Sequence, residues 1–236
     1  ILNEGDIISI PTDIFRGFEN VGDDLGYLHA VLGGDDPGRV LWAPQVFDLA
    51  KEYGLVLLED GSLVDTTLGE QVPEDKKPMP VTSAAQIAEH RVVNSEAMET
   101  VVQRTADFNW SKNSGLAQFD GVEEAALVGP ANSEEGIAES KLNWSHNFVV
   151  RALRLSTGST GKLAQINPHI RYEEEVVFVH QGAVNVTVDG ETLALTKGDT
   201  FTTPIESVRS FAQQSDEDCI LYITRRSDQP KVPKFV

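Results

Sequence analysis

The stretch HIRYEEE at residues 169–175 sets an imidazole, a guanidinium and a carboxylate close together, as His169, Arg171 and Glu175. Residues 169 and 171 are two apart, so on a strand their side chains share a face. A second guanidinium, Arg209, stands in PIESVRSF, and a third, Arg16, in PTDIFRGF near the start of the chain. An imidazole can give or take a proton near neutral pH, and a carboxylate can orient it or pair with an arginine. A guanidinium can grip a carboxylate or phosphate through two parallel hydrogen bonds. It has no lone pair to offer and stays protonated, so it cannot ligate a metal. Alternation points Glu174 away from Glu175, toward solvent. Cys219, inside the apolar run CILYIT, reads as a buried inert thiol. No nucleophile–base pattern, phosphate loop or dinucleotide fingerprint is present in the sequence.

The elements that must position these residues are short β runs separated by turn signals between residues 147 and 225. NFVVRALRL leads into STGSTG, EVVFVHQG follows, and AVNVTVDGETLAL reads as a hairpin turning at Asp189-Gly190. Val184, Val186 and Val188 alternate with polar residues, as do Leu193 and Leu195 on the return strand, which predicts one buried face and an antiparallel sandwich or small barrel. Upstream, DIISIP and YLHAVL read as strands, and WAPQVFDLAKEYGL as a helix near 43–53 with Pro44 in its first turn and Gly54 at its end. Residues 59–82 are rich in acid, Pro and Gly and read as a connection. Residues 84–148 show no clean period and are expected to be loops with short strands.

Asp and Glu number 37 against 19 Lys and Arg, a formal charge of −18, which repels phosphate backbones and anionic headgroups. Nucleic acid and membrane are therefore not expected as partners. The single cysteine excludes an internal disulfide and fits a reducing cytoplasm. No apolar run approaches the roughly 18 residues of a membrane helix, and ILNEGDIISI lacks the basic start of a signal peptide.

Gly5, Asp6, Pro11, Arg16, Phe18 and Asp23 recur in register as Gly198, Asp199, Pro204, Arg209, Phe211 and Asp216, an internal repeat. Gly-Asp supplies a tight turn into a strand, and Pro ends that strand where a ladder N–H is no longer needed. These residues resemble the cupin superfamily. The spacing of its second motif is met by Gly5, Pro11, Asp13, Arg16 and Asn20, and again by Gly198, Pro204, Glu206, Arg209 and Gln213. The spacing of its first motif is met by His169, Arg171, Glu175 and Gly182.

The resemblance implies an all-β fold of cupin double-stranded β-helix (jelly-roll) barrels, a bicupin with a connecting helix. Residues 1–35 are then the closing strands of an N-terminal barrel and 36–146 a connecting region. Residues 147–226 make a complete C-terminal barrel, and 227–236 a tail. The front of the first barrel is expected on another segment, a companion chain or a neighbouring protomer, so a homo-oligomer or companion chain is an expected partner. Metal-binding cupins hold iron, manganese, nickel or another divalent ion with the first motif's two His and Glu and the second motif's His. Here Arg171, Arg209 and Arg16 stand at three of the His positions.

The leading expectation is a metal-free bicupin binding a small anionic molecule in its C-terminal barrel. In it Arg171 and Arg209 form the clamp, Arg16 is the matching ligand-binding position of the first copy, and His169 and Glu175 are the candidate catalytic pair. No cofactor is expected on this reading; a divalent metal held by His169, Glu175 and a residue outside the motif is the minority one. The alternatives are a metal-dependent dioxygenase-like bicupin, an oxidoreductase or isomerase if an enzyme at all, and a structural or storage-type bicupin. In the last, the barrels are filled by buried Arg171–Glu175 or Arg209–Glu175 ion pairs.

Overall fold

The computed structural model describes residues 1–34 and 40–236. The expected boundary between residues 35 and 36 lies outside the described residues. In chain order the strands are β1 (Ile7–Ile8), β2 (Leu55–Leu57), β3 (Leu63–Asp65), β4 (Val102–Gln103), β5 (Val122–Val128), β6 (Val149–Leu155), β7 (Gln165–Ile170), β8 (Glu175–Gln181), β9 (Ala183–Val188), β10 (Glu191–Thr196), β11 (Thr200–Thr203), β12 (Arg209–Gln213), β13 (Cys219–Arg225) and β14 (Lys234–Phe235). The chain divides into two units, one of Ile1–Ile10 with Glu96–Val236 and one of Pro11–Ser95.

The larger unit holds two five-stranded sheets, ordered β11-β8-β13-β6-β5 and β10-β9-β12-β7-β14, with all ladders antiparallel. Their facing sides enclose one core, in which Leu153, Leu155, Val177, Val179, Leu221 and Ile223 of the first sheet meet Ile166, Val184, Val186 and Phe211 of the second. The outer face of the first sheet is also covered, by a second cluster around Ala125, Leu127, Ala152 and Tyr222 against which Phe108 and Trp110 pack. This all-β architecture is the antiparallel sandwich expected from the strand pattern, with the jelly-roll form that the resemblance implies.

The hairpin of β9 and β10 turns where expected: Asp189 and Gly190 both have positive φ, 48° and 92°, the two-residue turn whose twist matches antiparallel strands. Val184 and Val186 are fully buried, but Leu193 is 47% exposed because β10 is an edge strand paired with β9 alone. Gly182 sits between β8 and β9 at φ +72°, where an added Cβ would lie 2.6 Å from the Asp218 carbonyl oxygen. Gly182→Ala is expected to cost about 1–3 kcal/mol through strain and clash, read as a lowered urea midpoint at unchanged slope.

Two expected boundaries are corrected. β5 lies in the region expected to be connection, yet pairs with β6 from Val122↔Leu155 onward. Residues 227–236 are no free tail, since β14 pairs with β7 and Phe235 packs into the barrel core. The strands expected over residues 1–35 are largely not formed. Within 1–34 only Ile7–Ile8 is strand, pairing with β4, while Phe18, Leu25 and Tyr27 are exposed. The repeat nonetheless persists in the backbone: Gly5 and Gly198 have φ of 82° and 94°, and Asp13 and Glu206 have 60° and 61°. Both copies therefore turn the chain alike, but apolar residues after the first turn have no ladder to join.

The smaller unit contains α1 (Pro44–Glu52), matching the expected helix, with Pro44 at its first turn. The hairpin β2–β3 follows, and α2 (Ala84–Ala88) opens with a capping box in which Ser83 and Gln86 satisfy each other's backbone N–H groups. Among the described residues no helix is long and apolar enough to cross a membrane.

Candidate functional site

At one end of the barrel the inward rows of apolar residues give way to charge. On β13 the row Cys219, Leu221, Ile223 ends in Arg225; on β6, Leu155 and Leu153 are followed by Arg151; on β8, Val179 and Val177 lead back to Glu175. Register then converges them: Glu175 lies opposite both Arg225 and Thr203, and Arg209 opposite His169. The four residues singled out from sequence on this barrel, His169, Arg171, Glu175 and Arg209, are brought together and are all buried. Arg16 is not among them. It is exposed, lies in the Pro11–Ser95 unit and is on no strand, because the first copy of the repeat builds no barrel ladder there.

Glu175 is the hub. Its Oε2 lies 2.9 Å from Arg209 Nη1, its Oε1 accepts from Arg225 Nε at 2.8 Å, and Arg171 Nε stands 3.9 Å away. Both expected ion pairs therefore exist, together with a third. Burial opposes ionisation of this carboxyl, but the fields of Arg225, Arg171 and Arg209 override it and hold its pKa below the ordinary carboxylate value. Arg171 also donates to Glu135 and, at 2.8 Å, to the carbonyl of Lys231. Arg209 donates to the carbonyl of Pro204 at 2.5 Å and to Ser207 Oγ at 3.1 Å. Arg225 reaches Glu124 at 3.5 Å, and Glu124 in turn accepts from Ser114.

Arg151 is of another kind. It is fully buried but donates only to the main-chain carbonyls of Val128 (3.1 Å) and Pro130 (3.5 Å). Burial, with repulsion from Arg225, lowers its pKa to about 10. His169 sits against Phe211 and Phe235. Its Nδ1 lies 3.0 Å from the Asn167 carbonyl, which can only accept, so the proton is on Nδ1 and Nε2 carries a bare lone pair. Burial lowers this imidazole to about 4, so it is neutral at physiological pH.

Four buried guanidiniums, Arg151, Arg171, Arg209 and Arg225, thus face three buried carboxylates within ion-pair reach, Glu124, Glu135 and Glu175. A fourth buried carboxylate, Glu173, is turned to the backbone N–H of Lys231. Among the described residues, the donors Arg151 Nε, Arg171 Nε and Nη2, Arg209 Nε and Nη1 and Arg225 Nη2 make no hydrogen bond, nor do the acceptors His169 Nε2, Glu173 Oε2 and Glu175 Oε2 or the hydroxyl of Thr203, so unpartnered guanidinium nitrogens outnumber unpartnered carboxylate oxygens. The site is rich in donors and short of acceptors. A divalent metal suits it poorly: both Glu175 oxygens are engaged by guanidiniums and His169 Nε2 is the one free nitrogen lone pair of the cluster. A cation there would also meet the positive field of the arginines.

Glu124, Glu135, Arg151 and Arg225 escape the sequence reading. Arg225 and Arg151 could have been found by extending the inward parity of CILYITR and VVRALRL to their ends. Glu135 lies in a loop and has no local signal.

Residues 160–224 match the family model described as "Cupin domain". The comparison with curated proteins returns no match. Among solved structures, the polyketide cyclase RemF from Streptomyces resistomycificus is similar at 14% identity and a TM-score of 0.42, over 57% of this chain and 83% of that one. Rru_A2000 from Rhodospirillum rubrum, a cupin-2 domain, is similar at 15% identity and a TM-score of 0.41, over 57% and 78%. A salicylate 1,2-dioxygenase from Pseudaminobacter salicylatoxidans is similar at 23% identity and a TM-score of 0.30, over 34% of this chain and 21% of that one. His169, Arg171, Glu175 and Arg209 all lie within the segment that matches the cupin domain model.

Proposed function

We propose that the barrel is a metal-free binding module for a small anion, a carboxylate or phosphate, held by Arg171 and Arg209. The observation that supports this is the surplus of buried donors: unpartnered N–H groups on four guanidiniums that outnumber the carboxylates paired with them. A buried donor without an acceptor costs about 1–3 kcal/mol, and an anion answers several at once. His169 Nε2, a neutral lone pair beside the clamp, can accept a hydrogen bond from the bound molecule.

Thermal melting of the purified protein with acetate, succinate or phosphate, against chloride at equal ionic strength, tests this. A ligand at a hundred times its Kd is expected to stabilise by about 2.7 kcal/mol, and Arg209→Ala to abolish that gain. A second reading, a barrel filled by its own ion pairs, is favoured by the complete burial of all four arginines. It predicts no stabilisation by any of these anions in the wild-type protein.

The bicupin organisation is part of the same proposal. It is supported by the repeat in residues and backbone turns, and by the exposed Phe18, Leu25, Tyr27 and Leu28 of the first copy, which suit strands awaiting partners. Light scattering is expected to give a mass above the 25.8 kDa of one chain; a monomer at micromolar concentration would count against a second protomer as the source of those partners.

A further inference from the structure

Resting on the anion-binding reading, we infer that Glu135 is an internal stand-in for the ligand's carboxylate, and that the loop carrying it swings aside when a carboxylate takes its place on Arg171. Glu135 is 3% exposed and reaches Arg171 Nη1 from a loop, not from either barrel sheet. Such a carboxylate occupies the place an incoming acid would need.

The loop is built as a clasp. Asn132 Oδ1 accepts from the backbone N–H groups of Glu134 and Glu135, its Nδ2 donates to the carbonyl of Pro230 at 2.8 Å, and Asn132 and Ile137 exchange backbone hydrogen bonds across the turn. Arg151 anchors the base of the loop through the carbonyls of Val128 and Pro130. Beside it lies a cleft of about 260 Å³, walled by Gly136 and Ile137 on the loop side and by Glu124, Ala126, Trp110 and Ser111. Glu124 also touches Arg225, so the cleft meets the charged cluster at Glu124, and Gly136 on its loop wall follows Glu135 in the chain. With Glu135 displaced, this cleft is the side from which a small acid would approach Arg171. The exchange is one carboxylate for another on the same guanidinium, so it discriminates for carboxylates that can match a bidentate grip. No covalent step is involved.

The test is succinate titration by calorimetry on the wild-type protein, Glu135→Gln and Asn132→Ala, with hydrogen exchange of residues 131–139 followed in each. Removing the competing charge in Glu135→Gln is expected to tighten binding at least tenfold. Asn132→Ala keeps both partners of the ion pair but removes the clasp and the Asn132 Nδ2 hydrogen bond to Glu135 Oε2 at 3.4 Å, and is expected to tighten binding severalfold. Amides of 131–139 are expected to exchange faster in wild-type protein when succinate is present. Binding of equal strength in all three proteins, with unchanged exchange, would overturn the stand-in role and leave the anion site standing. Binding in none of them would overturn the anion reading itself. Should Glu135→Gln not fold, Asn132→Ala and the exchange data decide.

Discussion

Glu175→Gln is expected to lower the unfolding free energy by about 3–5 kcal/mol, the cost of breaking a buried pair by removing one partner. The substitution keeps the shape but leaves Arg171, Arg209 and Arg225, all fully buried, without the carboxylate they share. The other two acids of the cluster cannot take over, since Glu135 serves Arg171 and Glu124 lies at 3.5 Å from Arg225. Urea denaturation reads the effect. A matched control is Glu4→Gln, which breaks an exposed pair with Lys197 and is expected to change little. Adding Arg209→Gln to Glu175→Gln is expected to restore part of the loss, because the double variant removes one of the orphaned charges. A loss below about 1 kcal/mol for Glu175→Gln would show that the hub is not carrying the charge balance.

The second large effect is in pH. His169 titrates at about 4 in the folded chain against 6.5 for an exposed imidazole, because burial disfavours its charged form. Below pH 6.5 the unfolded chain takes up a proton that the folded chain refuses, so the stabilisation is complete above pH 6.5 and is lost as pH falls toward 4. At about 1.4 kcal/mol per pH unit the loss reaches about 3 kcal/mol. Glu175 acts in a lower window: its folded pKa lies below 4.5, so its contribution is present above 4.5 and disappears as pH drops through the folded value. His29 and His180 are also lowered by burial and tilt the curve in the same direction, so the difference between wild type and His169→Gln isolates the one residue. Urea midpoints between pH 4.5 and 7.5 are expected to fall steeply in wild type and more shallowly in the variant. Parallel curves would show that His169 is solvated.

The sequence made the barrel readable where strands have one wet face or a tight turn. The β9–β10 hairpin shows both, with Asp189-Gly190 in the left-handed region and Val184 and Val186 turned inward. It failed at β5, whose faces are both covered, by the barrel core on one side and by the Phe108 and Trp110 cluster on the other, so that VEEAALV carries no alternation. The cluster was legible as far as motif spacing reached: His169, Arg171, Glu175 and Arg209 do meet. Its balance was not, because Glu135 comes from a loop and Glu124 from the unread strand, and nothing local marks either as facing an arginine. Arg16 shows the opposite limit: a position can match a motif and repeat its backbone turn without the ladders that would bury it.

Unpartnered guanidinium N–H groups in the barrel are proposed to receive an anion, and arginine side-chain NMR tests this at the atoms concerned. In a ¹⁵N-labelled sample the Nε–H of Arg209, unpartnered and buried, is expected to give a resolved signal, assigned by its loss in Arg209→Lys. Titration with succinate at constant ionic strength is expected to move that signal saturably, with the Arg171 Nε–H following. An Arg209 signal that stays in place through succinate, acetate and phosphate would contradict anion binding there and leave the arginines as filling for the barrel.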